Sequence, residues 1–434
     1  MSRFNTKVAG SFILLVILFI GNTLNAQNLQ ISGGYDWSVS LCSDGRIFAW
    51  GNNSAGQLGR NPTTDVKYAV AMSTVPLEVR LPTGVTMRKV DAGSGSTGIA
   101  LGCNGSVYTW GENCNGAVGA GFRGTCGGGG SKGTDGNGHF SQLHRVAGGE
   151  QGGAFLTNIS YINASTSSSF VVEGTTGRVL AWGDNSNGEL GRGTNNNIGN
   201  TYLPSYVKTG PGATDFLTNI VMVEGNDYGA YALASDGTVY SWGINTNNAL
   251  GRPNVDPFYA RRVKMYDYAT GTFTGDLTNI VKITGGDTHG MAIDANGHLW
   301  SWGGDWGGGQ RGGGTCGCNN VPYATRVLAP AATCGGIDTW KIGPWLENVI
   351  EITAGQQHSI ALLSDGRVVT FGNNGSRQLG DGTGTSRGCP VYVLTAAATP
   401  LTGIVAISDG DLWSFAINSA GGVYGRKQYR RAGN

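Results

Sequence analysis

The sequence predicts an all-β fold, and within that class a seven-bladed β-propeller, from three observations. The chain contains 76 Gly among 434 residues, hydrophobic residues make up 39% of it, and one sequence unit recurs seven times. Glycine is well above the roughly 7% of average proteins, as expected where tight turns join many short strands. The apolar share is high enough for a packed core, which excludes a disordered glycine-rich linker. Repeats of this kind close into one array, so a single domain is expected.

The repeated unit is marked by a tight turn that ends in glycine. Successive turn glycines are 60, 72, 60, 60, 69 and 55 residues apart. Five residues after each of them comes an aromatic residue followed by Gly, except in the seventh unit, which has Arg426 there. Recurrence at one repeat position predicts that these aromatics fill the blade cores. The turn glycines are Gly45, Gly105, Gly177, Gly237, Gly297, Gly366 and Gly421, and the aromatics are Trp50, Trp110, Trp182, Trp242, Trp302 and Phe371.

Two short β-prone segments flank each turn, as residues 230–234 and 238–242 illustrate. Asp236-Gly237 between them is typical of a hairpin turn, because glycine readily adopts a positive φ. Apolar residues occupy both alternating phases of the two segments, so both strand faces are expected to be covered. A strand between neighbouring propeller sheets meets that requirement, whereas an isolated hairpin does not.

Two further phrases recur with the turn. After the Trp-Gly pair, Asn and small residues lead to Leu-Gly, and we expect the leucine to hold this loop against its blade. This phrase occupies residues 53–59, 185–191, 245–251 and 374–380. A Leu-Thr-Asn-Ile or Leu-Thr-Gly-Ile phrase leads into the next unit at residues 156–159, 217–220, 277–280 and 401–404.

Together these phrases resemble a known repeat family. Residues 354–362 (Ala-Gly-Gln-Gln-His-Ser-Ile-Ala-Leu), followed by Asp365-Gly366, Phe371-Gly372 and Gln378-Leu379-Gly380, are similar to the regulator-of-chromosome-condensation repeat. The resemblance covers nearly all of residues 29–425 and implies a propeller built from these repeats. It also implies that one propeller face and its loops recognise another protein. Family members include a eukaryotic nucleotide-exchange factor for a small GTPase and exported bacterial propellers that inhibit β-lactamases.

Residues 1–26 have the features of a signal peptide. Basic Arg3 and Lys7 precede an apolar run over residues 12–20, and Ala26 offers a cleavage site. The run is too short to span a bilayer comfortably, and an uncleaved N-terminal anchor is the alternative. We therefore expect an exported bacterial member of the family that is secreted or held at the cell surface or in the periplasm. After leader removal we expect no membrane insertion and a monomer.

Residues 27–434 are predicted to form one propeller domain. Its repeats extend over approximately residues 29–88, 89–158, 159–219, 220–279, 280–348, 349–402 and 403–434. The seventh unit lacks the Trp-Gly pair, the Leu-Gly loop and a sequence for an outer strand. We hypothesise that the seventh blade is incomplete or that the chain ends early.

The chain has eight cysteines, an even number that fits disulfides in an oxidising compartment. We predict a bridge between Cys114 and Cys126, and one from Cys334 to Cys316 or Cys318. Loop-stapling disulfides are favoured over metal binding because the leader predicts export. Cys42 and Cys103 lie beside equivalent turns of adjacent units and are interpreted as buried thiols or a further bridge.

Aromatics outside the repeat positions are the candidates for a binding surface. Trp306, Trp340 and Trp345 belong to an insertion over residues 304–345, and Phe140 is the main apolar residue of a second, glycine-rich insertion. Loop aromatics often anchor binding partners. The alternative is that they pack the long loops onto the ring.

No catalytic, cofactor-binding or metal-ligating pattern is recognised, so no cofactor or metal is expected. Equivalent repeat positions hold His289 and His358, which predicts a structural role for both. A net charge of +1 gives no electrostatic footprint for nucleic acid. The leading prediction is a protein partner. The alternatives are carbohydrate or surface-polymer binding with Trp306 and Trp340 as stacking platforms, and an enzyme with a site in the central channel, which convergent titratable residues there would favour.

Overall fold

The computed structural model is a ring of seven antiparallel sheets, which confirms the predicted seven-bladed propeller. Each sheet is one blade, and the first strands of neighbouring blades contact each other around a central channel. The structure describes residues 30–59, 72–122, 139–195, 201–267, 272–305, 308–313, 321–330, 344–410 and 413–426.

The strands follow one another outward from the channel in chain order. Blade 1 contains β1 (Gln30–Gly33), β2 (Trp37–Leu41), β3 (Ile47–Asn52) and β4 (Met72–Glu78), and blade 2 contains β5 (Met87–Ala92), β6 (Thr97–Gly102), β7 (Val107–Glu112) and β8 (His139–Arg145). Blade 3 contains β9 (Ile159–Ala164), β10 (Ser168–Glu173), β11 (Val179–Gly183) and β12 (Ser205–Tyr206), and blade 4 contains β13 (Ile220–Gly225), β14 (Gly229–Ala234), β15 (Val239–Gly243) and β16 (Arg261–Arg262).

A hairpin of β17 (Lys264–Asp267) and β18 (Thr272–Asp276) precedes blade 5, which contains β19 (Ile280–Gly285), β20 (His289–Asp294), β21 (Leu299–Gly303) and β22 (Val321–Arg326). Blade 6 contains β23 (Val349–Ala354), β24 (His358–Leu363), β25 (Val368–Gly372) and β26 (Arg387–Tyr392), and blade 7 contains β27 (Ile404–Gly410), β28 (Trp413–Asn418) and β29 (Val423–Arg426). Two short 3-10 turns, Gly149–Gln151 and Thr246–Asn248, complete the described elements.

Successive strands are antiparallel, so the connections alternate between the two ends of the ring. The first-to-second and third-to-fourth connections lie on one side, which we call the upper side. The hairpin turns between second and third strands, and the links from one blade to the next, lie on the lower side. The described residues that follow β7 therefore lie at the upper side, and those that directly precede β23 lie at the lower side.

Contacts at the lower side explain why the turn glycine and the lead-in phrase recur together. Gly237 has a φ of 82°, and its carbonyl accepts a hydrogen bond of 3.1 Å from the backbone N–H of Ile280 in the next blade. Asn279, just before this contact, has a φ of 60°, a conformation that asparagine tolerates better than most residues. The turn of one blade thus holds the first strand of the next. The same bond joins Gly105 to Ile159, Gly177 to Ile220, Gly297 to Val349 and Gly366 to Ile404.

The upper-side loop is closed by its asparagine and its leucine. The Leu250 backbone N–H donates to the Asn245 side-chain oxygen at 2.9 Å, and Leu250 is buried. The predicted role of this leucine is confirmed. The same bond joins Leu58 to Asn53, Leu190 to Asn185 and Leu379 to Asn374.

The recurring aromatics pack where one blade meets the loop of the blade before it. The Trp242 indole N–H donates to the Glu189 carbonyl at 2.7 Å, and the Trp242 ring is 6.3 Å from that of Phe170 in the preceding blade. The predicted core role is confirmed for the five residues that are 0% exposed, namely Trp110, Trp182, Trp242, Trp302 and Phe371. Trp50 is only half-buried, which corrects the prediction for blade 1.

Blades 5 and 7 depart from the common pattern. The β17–β18 hairpin joins the outer side of blade 5, with β17 parallel to β22, to give a six-stranded sheet. Blade 7 has three strands in the part of the chain that the structure describes, in agreement with the predicted incomplete blade. It still closes the ring, because the Trp413 indole N–H donates to the Tyr35 carbonyl of blade 1 at 3.0 Å.

Candidate functional site

The first strands of blades 2 to 7 each carry one extra residue near their lower end. In blade 4 the pairing register shifts between Ile220 and Met222, which leaves Val221 without a partner in the ladder. A bulge of this kind re-aims a side chain relative to a regular strand. The extra residues around the ring are Arg88, Ser160, Val221, Val281, Ile350 and Val405.

Four consecutive blades place an aliphatic side chain at this bulge. The exposed fractions are 49% for Val221, 58% for Val281, 54% for Ile350 and 47% for Val405. Because the first strands surround the channel, these four residues form an arc at its lower opening, which we call the lower arc. Grouped exposed apolar side chains are typical of interaction surfaces. The sequence signal was present for three of the four, since Val221, Val281 and Val405 directly follow the lead-in phrase, but it was not recognised as a sign of exposure.

Above the lower arc, polar side chains of neighbouring first strands meet in the channel. The Tyr161 hydroxyl donates to Glu224 at 2.6 Å. The Asn163 amide donates both to Glu224 at 3.0 Å and to Asp91 at 3.1 Å. The Lys89 ammonium lies 3.2 Å from the centre of the Tyr161 ring. These contacts tie blades 2, 3 and 4 together across the channel wall.

Burial shifts the ionisation of this channel network. It lowers the pKa of Lys89, raises that of Tyr161 well above its usual value, and raises the pKa of Glu224 to about 7. Between the first strands of blades 5 and 6, Lys282 and Glu351 form an ion pair. Convergent titratable groups are therefore present in the channel, the feature that favours the enzyme alternative. Such shifts occur in structural ion-pair networks as well as in active sites.

The upper opening of the channel is polar. Loops of successive blades line an open depression that includes Ser94, Thr166, Asp227 and Asp287. The Thr166 hydroxyl donates to Asp227, and burial raises the pKa of this carboxyl. The two openings of the channel thus differ in chemistry: the upper one is polar and acidic, and the lower one is bordered by aliphatic side chains.

The predicted fifth-unit aromatics do not belong to one insertion. The strand β22 divides residues 304–345, so residues 304–305, after β21, lie at the upper side and residues 327–330, after β22, lie at the lower side. The sequence analysis treated residues 304–345 as one insertion without a strand. The presence of β22 within this range corrects that expectation. Trp306 and Trp340 lie outside the described residues. Trp345 is half-buried on the lower side, with the Arg326 guanidinium 5.7 Å from its ring centre.

Phe140 lies near the upper end of β8 and is 9% exposed. Its ring packs 5.9 Å from Phe122 and 5.1 Å from His144. Phe122 is 53% exposed, so the more accessible ring of this small cluster is one that sequence analysis did not select.

The cysteines of the described residues fall into two groups. Cys42, which is buried, and Cys103, which is exposed, are free thiols, so the bridge considered between them is absent. Burial raises the pKa of Cys42 to about 11. Cys114 and Cys389 are disulfide-bonded, and Cys389 was not among the predicted candidates. The predicted pairings themselves stay predictions, because Cys126, Cys316, Cys318 and Cys334 lie outside the described residues.

The two equivalent histidines connect neighbouring blades. His289 Nε2 is 2.9 Å from the Ser359 hydroxyl, and His358 Nε2 is 3.1 Å from both the Trp413 carbonyl and the Ser414 hydroxyl. Burial lowers the pKa of His289 to about 3 and that of His358 to about 4, so both are neutral at physiological pH. The predicted structural role is confirmed.

Two kinds of feature are absent from the described residues. They contain no group of three or more His, Cys, Asp or Glu side chains placed to hold a metal ion. No helix among them is both long enough and apolar enough to cross a membrane.

Comparison with known proteins places the repeats in a family. The model of the regulator of chromosome condensation (RCC1) repeat matches residues 44–100, 176–232 and 236–293. A second model of the same description matches residues 29–57 and 349–378. Together these ranges cover half of the chain.

Related proteins share this region at low identity. Human E3 ubiquitin-protein ligase HERC2 is 26% identical over 359 residues, which cover 82% of this chain and 6% of HERC2. Protein pim1 of Schizosaccharomyces pombe is 26% identical over 359 residues, covering 80% of this chain and 59% of pim1. This chain therefore spans less than two thirds of either relative. The solved structure of Kap60 bound to yeast RCC1 (Prp20) has the same fold, with a TM-score of 0.66, 18% identity and coverage of 92% of this chain and 80% of that one. The chain is an RCC1-repeat seven-bladed β-propeller.

Proposed function

We propose that this chain is an exported bacterial propeller that binds another protein through its lower face, with the lower arc at the centre of the contact. The observation that carries the proposal is the exposure of four aliphatic side chains, Val221, Val281, Ile350 and Val405, around one opening of the ring. Burying such side chains against a partner is favourable at about 25 cal/mol per Å² of apolar surface.

A protein suits this surface better than a carbohydrate does. Sugars are usually held by flat aromatic rings together with hydrogen-bonding groups, whereas the lower arc consists of branched aliphatic side chains. Arg88 and Ser160 take the same bulge position in blades 2 and 3 and supply a polar border. An apolar centre with a polar rim is the usual anatomy of a protein interface. The solved complex of yeast RCC1 with Kap60 supports the use of this fold for protein binding.

The exported location rests on the leader at residues 1–26, whose sequence has the order of a basic region, an apolar run and a small residue. We expect the mature protein to begin at Gln27. N-terminal sequencing of protein recovered outside the cytoplasm of the producing cells tests this. An N-terminus at Met1 in that fraction would overturn the cleavage, and recovery only from the cytoplasm would overturn export.

The binding surface is tested by affinity capture from the exported proteins of the producing organism, with mass spectrometry as the readout. Ile350→Asp places a charge in the lower arc. Val255→Asp is the matched control, because Val255 is 65% exposed but lies in an upper-side loop. We expect one dominant stoichiometric protein with the unmodified chain and with Val255→Asp, and its loss with Ile350→Asp. Capture that Ile350→Asp leaves unchanged would remove the lower arc from the interface.

A second candidate, supported by the convergent groups in the channel, is a site at Lys89 and Glu224. Burial lowers the pKa of Lys89, which favours the uncharged, nucleophilic form of its amine, so reductive methylation followed by peptide mass spectrometry tests this site. Preferential methylation of Lys89 over Lys282 would favour a reactive channel site. If Lys89 stays unmodified, the channel network has a structural role in holding blades 2, 3 and 4 together.

A further inference from the structure

The outer edge of β29 lies where six other blades have a fourth strand. Within the described residues, blade 7 ends its sheet at β29, whereas blades 1 to 6 each continue to a strand antiparallel to the third one. An edge strand presents backbone N–H and C=O groups that can pair with a further extended segment.

The six fourth strands share one ending. Each is followed directly by a valine whose backbone N–H donates to the carbonyl of the first residue of the third strand, at 2.8 to 3.0 Å. In blade 5, for example, Val327 donates to Leu299 at 2.9 Å. The sequence therefore repeats one recognition element six times. The six valines are Val79, Val146, Val207, Val263, Val327 and Val393.

Within the described residues, no strand pairs with the outer edge of β29, and its direction and register match those of the other third strands. Asn418 N–H donates to the Gly422 carbonyl at 3.0 Å in the hairpin turn, as Leu363 N–H does to Arg367 in blade 6. Backbone groups alternate in direction along a strand. Val423 and Gly425 therefore point their backbone groups away from β28. Val423 is the counterpart of Leu299, so its carbonyl is the acceptor that a fourth strand would use.

Among the described residues, side chains near this edge are less buried than their counterparts in the other blades. Trp413, Ser414 and Phe415 are partly exposed, whereas all residues of the second strands β2, β6, β10, β14, β20 and β24 are buried. On the facing side of blade 1, Trp50 is half-buried. The equivalent Trp182 indole donates at 2.8 Å to the Ala117 carbonyl in the loop of the preceding blade.

We propose that the outer edge of β29 accepts an extended segment of a partner polypeptide as the fourth strand of blade 7. The segment runs antiparallel to β29 and ends in a valine or a similar β-branched residue whose N–H donates to Val423. Six copies of this strand in the same molecule define the chemistry of the occupant. The main-chain bonds supply affinity and the valine supplies specificity, as in other strand-addition complexes. This edge is separate from the lower arc.

The test uses the purified full chain and a labelled peptide with the sequence of residues 321–327, Val-Pro-Tyr-Ala-Thr-Arg-Val. Fluorescence anisotropy measures binding, and hydrogen exchange locates it. We expect saturable binding and slower exchange of the Gly425 amide, which points outward, with no change at Tyr424, which is paired with Ala416. Methylating the N–H of the last valine in the peptide should weaken binding about tenfold, because it removes one backbone hydrogen bond at the anchor.

The controls separate this edge from the rest of the molecule. A scrambled peptide of the same composition should not bind, and Ile350→Asp in the lower arc should leave peptide binding unchanged. No saturable binding, equal binding of the scrambled peptide, or unchanged exchange at Gly425 would overturn the proposal. A dimer in sedimentation velocity that the peptide dissociates would support strand addition but identify a second copy, rather than another protein, as the donor.

Discussion

Blades 4 and 7 use similar local sequences but reach different degrees of burial. Both have a second strand, a glycine turn and a third strand in the same register. Every residue of β14 in blade 4 is buried, whereas the first half of β28 in blade 7 is partly exposed. The difference lies outside the hairpin itself, in the upper-side loop and outer strand that blade 4 has beyond its third strand.

The comparison shows that a blade of this propeller is completed by its neighbours. Trp242 of blade 4 is covered by the loop of blade 3, through its bond to the Glu189 carbonyl, and the loop of blade 4 reaches blade 5 in turn. A Cβ placed on Gly251 of that loop would lie 2.6 Å from Trp302. The described part of blade 7 offers no such loop to Trp50. Substitutions placed at matched positions of the ring can measure what this cover contributes.

The largest effect is expected for core aromatics. Trp242→Ala removes a ring that is 0% exposed, and a cavity of that size should lower the free energy of unfolding by about 3–5 kcal/mol. Phe415→Ala in blade 7 should cost about 1–2 kcal/mol, because its ring is only partly buried. Chemical denaturation of the two variants measures both values. Equal losses would contradict the idea that blade 7 is less completely covered.

The next effect concerns pH at the junction of blades 6 and 7. The pKa of His358 is lowered by burial to about 4, below the roughly 6.5 of an unfolded histidine. Unfolding therefore takes up a proton between these values, so the stability contributed above pH 6.5 is lost as the pH falls towards 4. At pH 5 the loss from this residue should be about 2 kcal/mol relative to pH 8. Denaturation curves at both pH values should show a smaller difference for His358→Gln, and an unchanged difference would assign the pH dependence to other groups.

A smaller effect is expected from single hydrogen bonds to the upper-side loops. The Trp110 indole N–H donates to the Gln57 carbonyl at 2.8 Å in a fully buried setting. Trp110→Phe keeps an aromatic ring but leaves that carbonyl unpaired, and should cost about 1–2 kcal/mol. Trp50→Phe is the matched control, since the Trp50 ring is only half-buried. Thermal unfolding measures the stability lost by each variant. A similar loss for both would show that the hydrogen bond to the Gln57 carbonyl contributes little to stability.

The smallest effect is the difference between two turn glycines. Gly237 and Gly421 have φ values of 82° and 80°, so alanine at either should cost about 1–2 kcal/mol in backbone strain. A Cβ on Gly237 would also lie 3.0 Å from the backbone N of Asn279, whereas nothing lies within 4 Å at Gly421. Gly237→Ala should therefore be the more destabilising by about 1 kcal/mol. Identical melting temperatures for the two variants would show that the close contact between position 237 and the backbone of Asn279 does not affect stability.

The fold was predictable because its determinants are local and repeated. Turn glycines, lead-in asparagines and loop leucines each act within one unit or on the next, so seven copies in register specify the ring. Most of the lower arc was within reach of the sequence, since Val221, Val281 and Val405 follow the lead-in phrase, but the bulge that exposes them was not recognised. The six valines after the fourth strands were also visible and unused. The β17–β18 hairpin was missed because it has no counterpart in the repeat.

The sequence by itself determined the number of blades, the identity of most core aromatics and the incomplete seventh unit, since each follows from spacing along the chain. Only the tertiary structure decided which residues are exposed at the two openings of the channel and which charges meet inside it. Lys89, Tyr161 and Glu224 are far apart in sequence and belong to three different blades. Their contact depends on how closely the first strands approach around the ring, and that distance is set by packing between blades rather than by any one repeat.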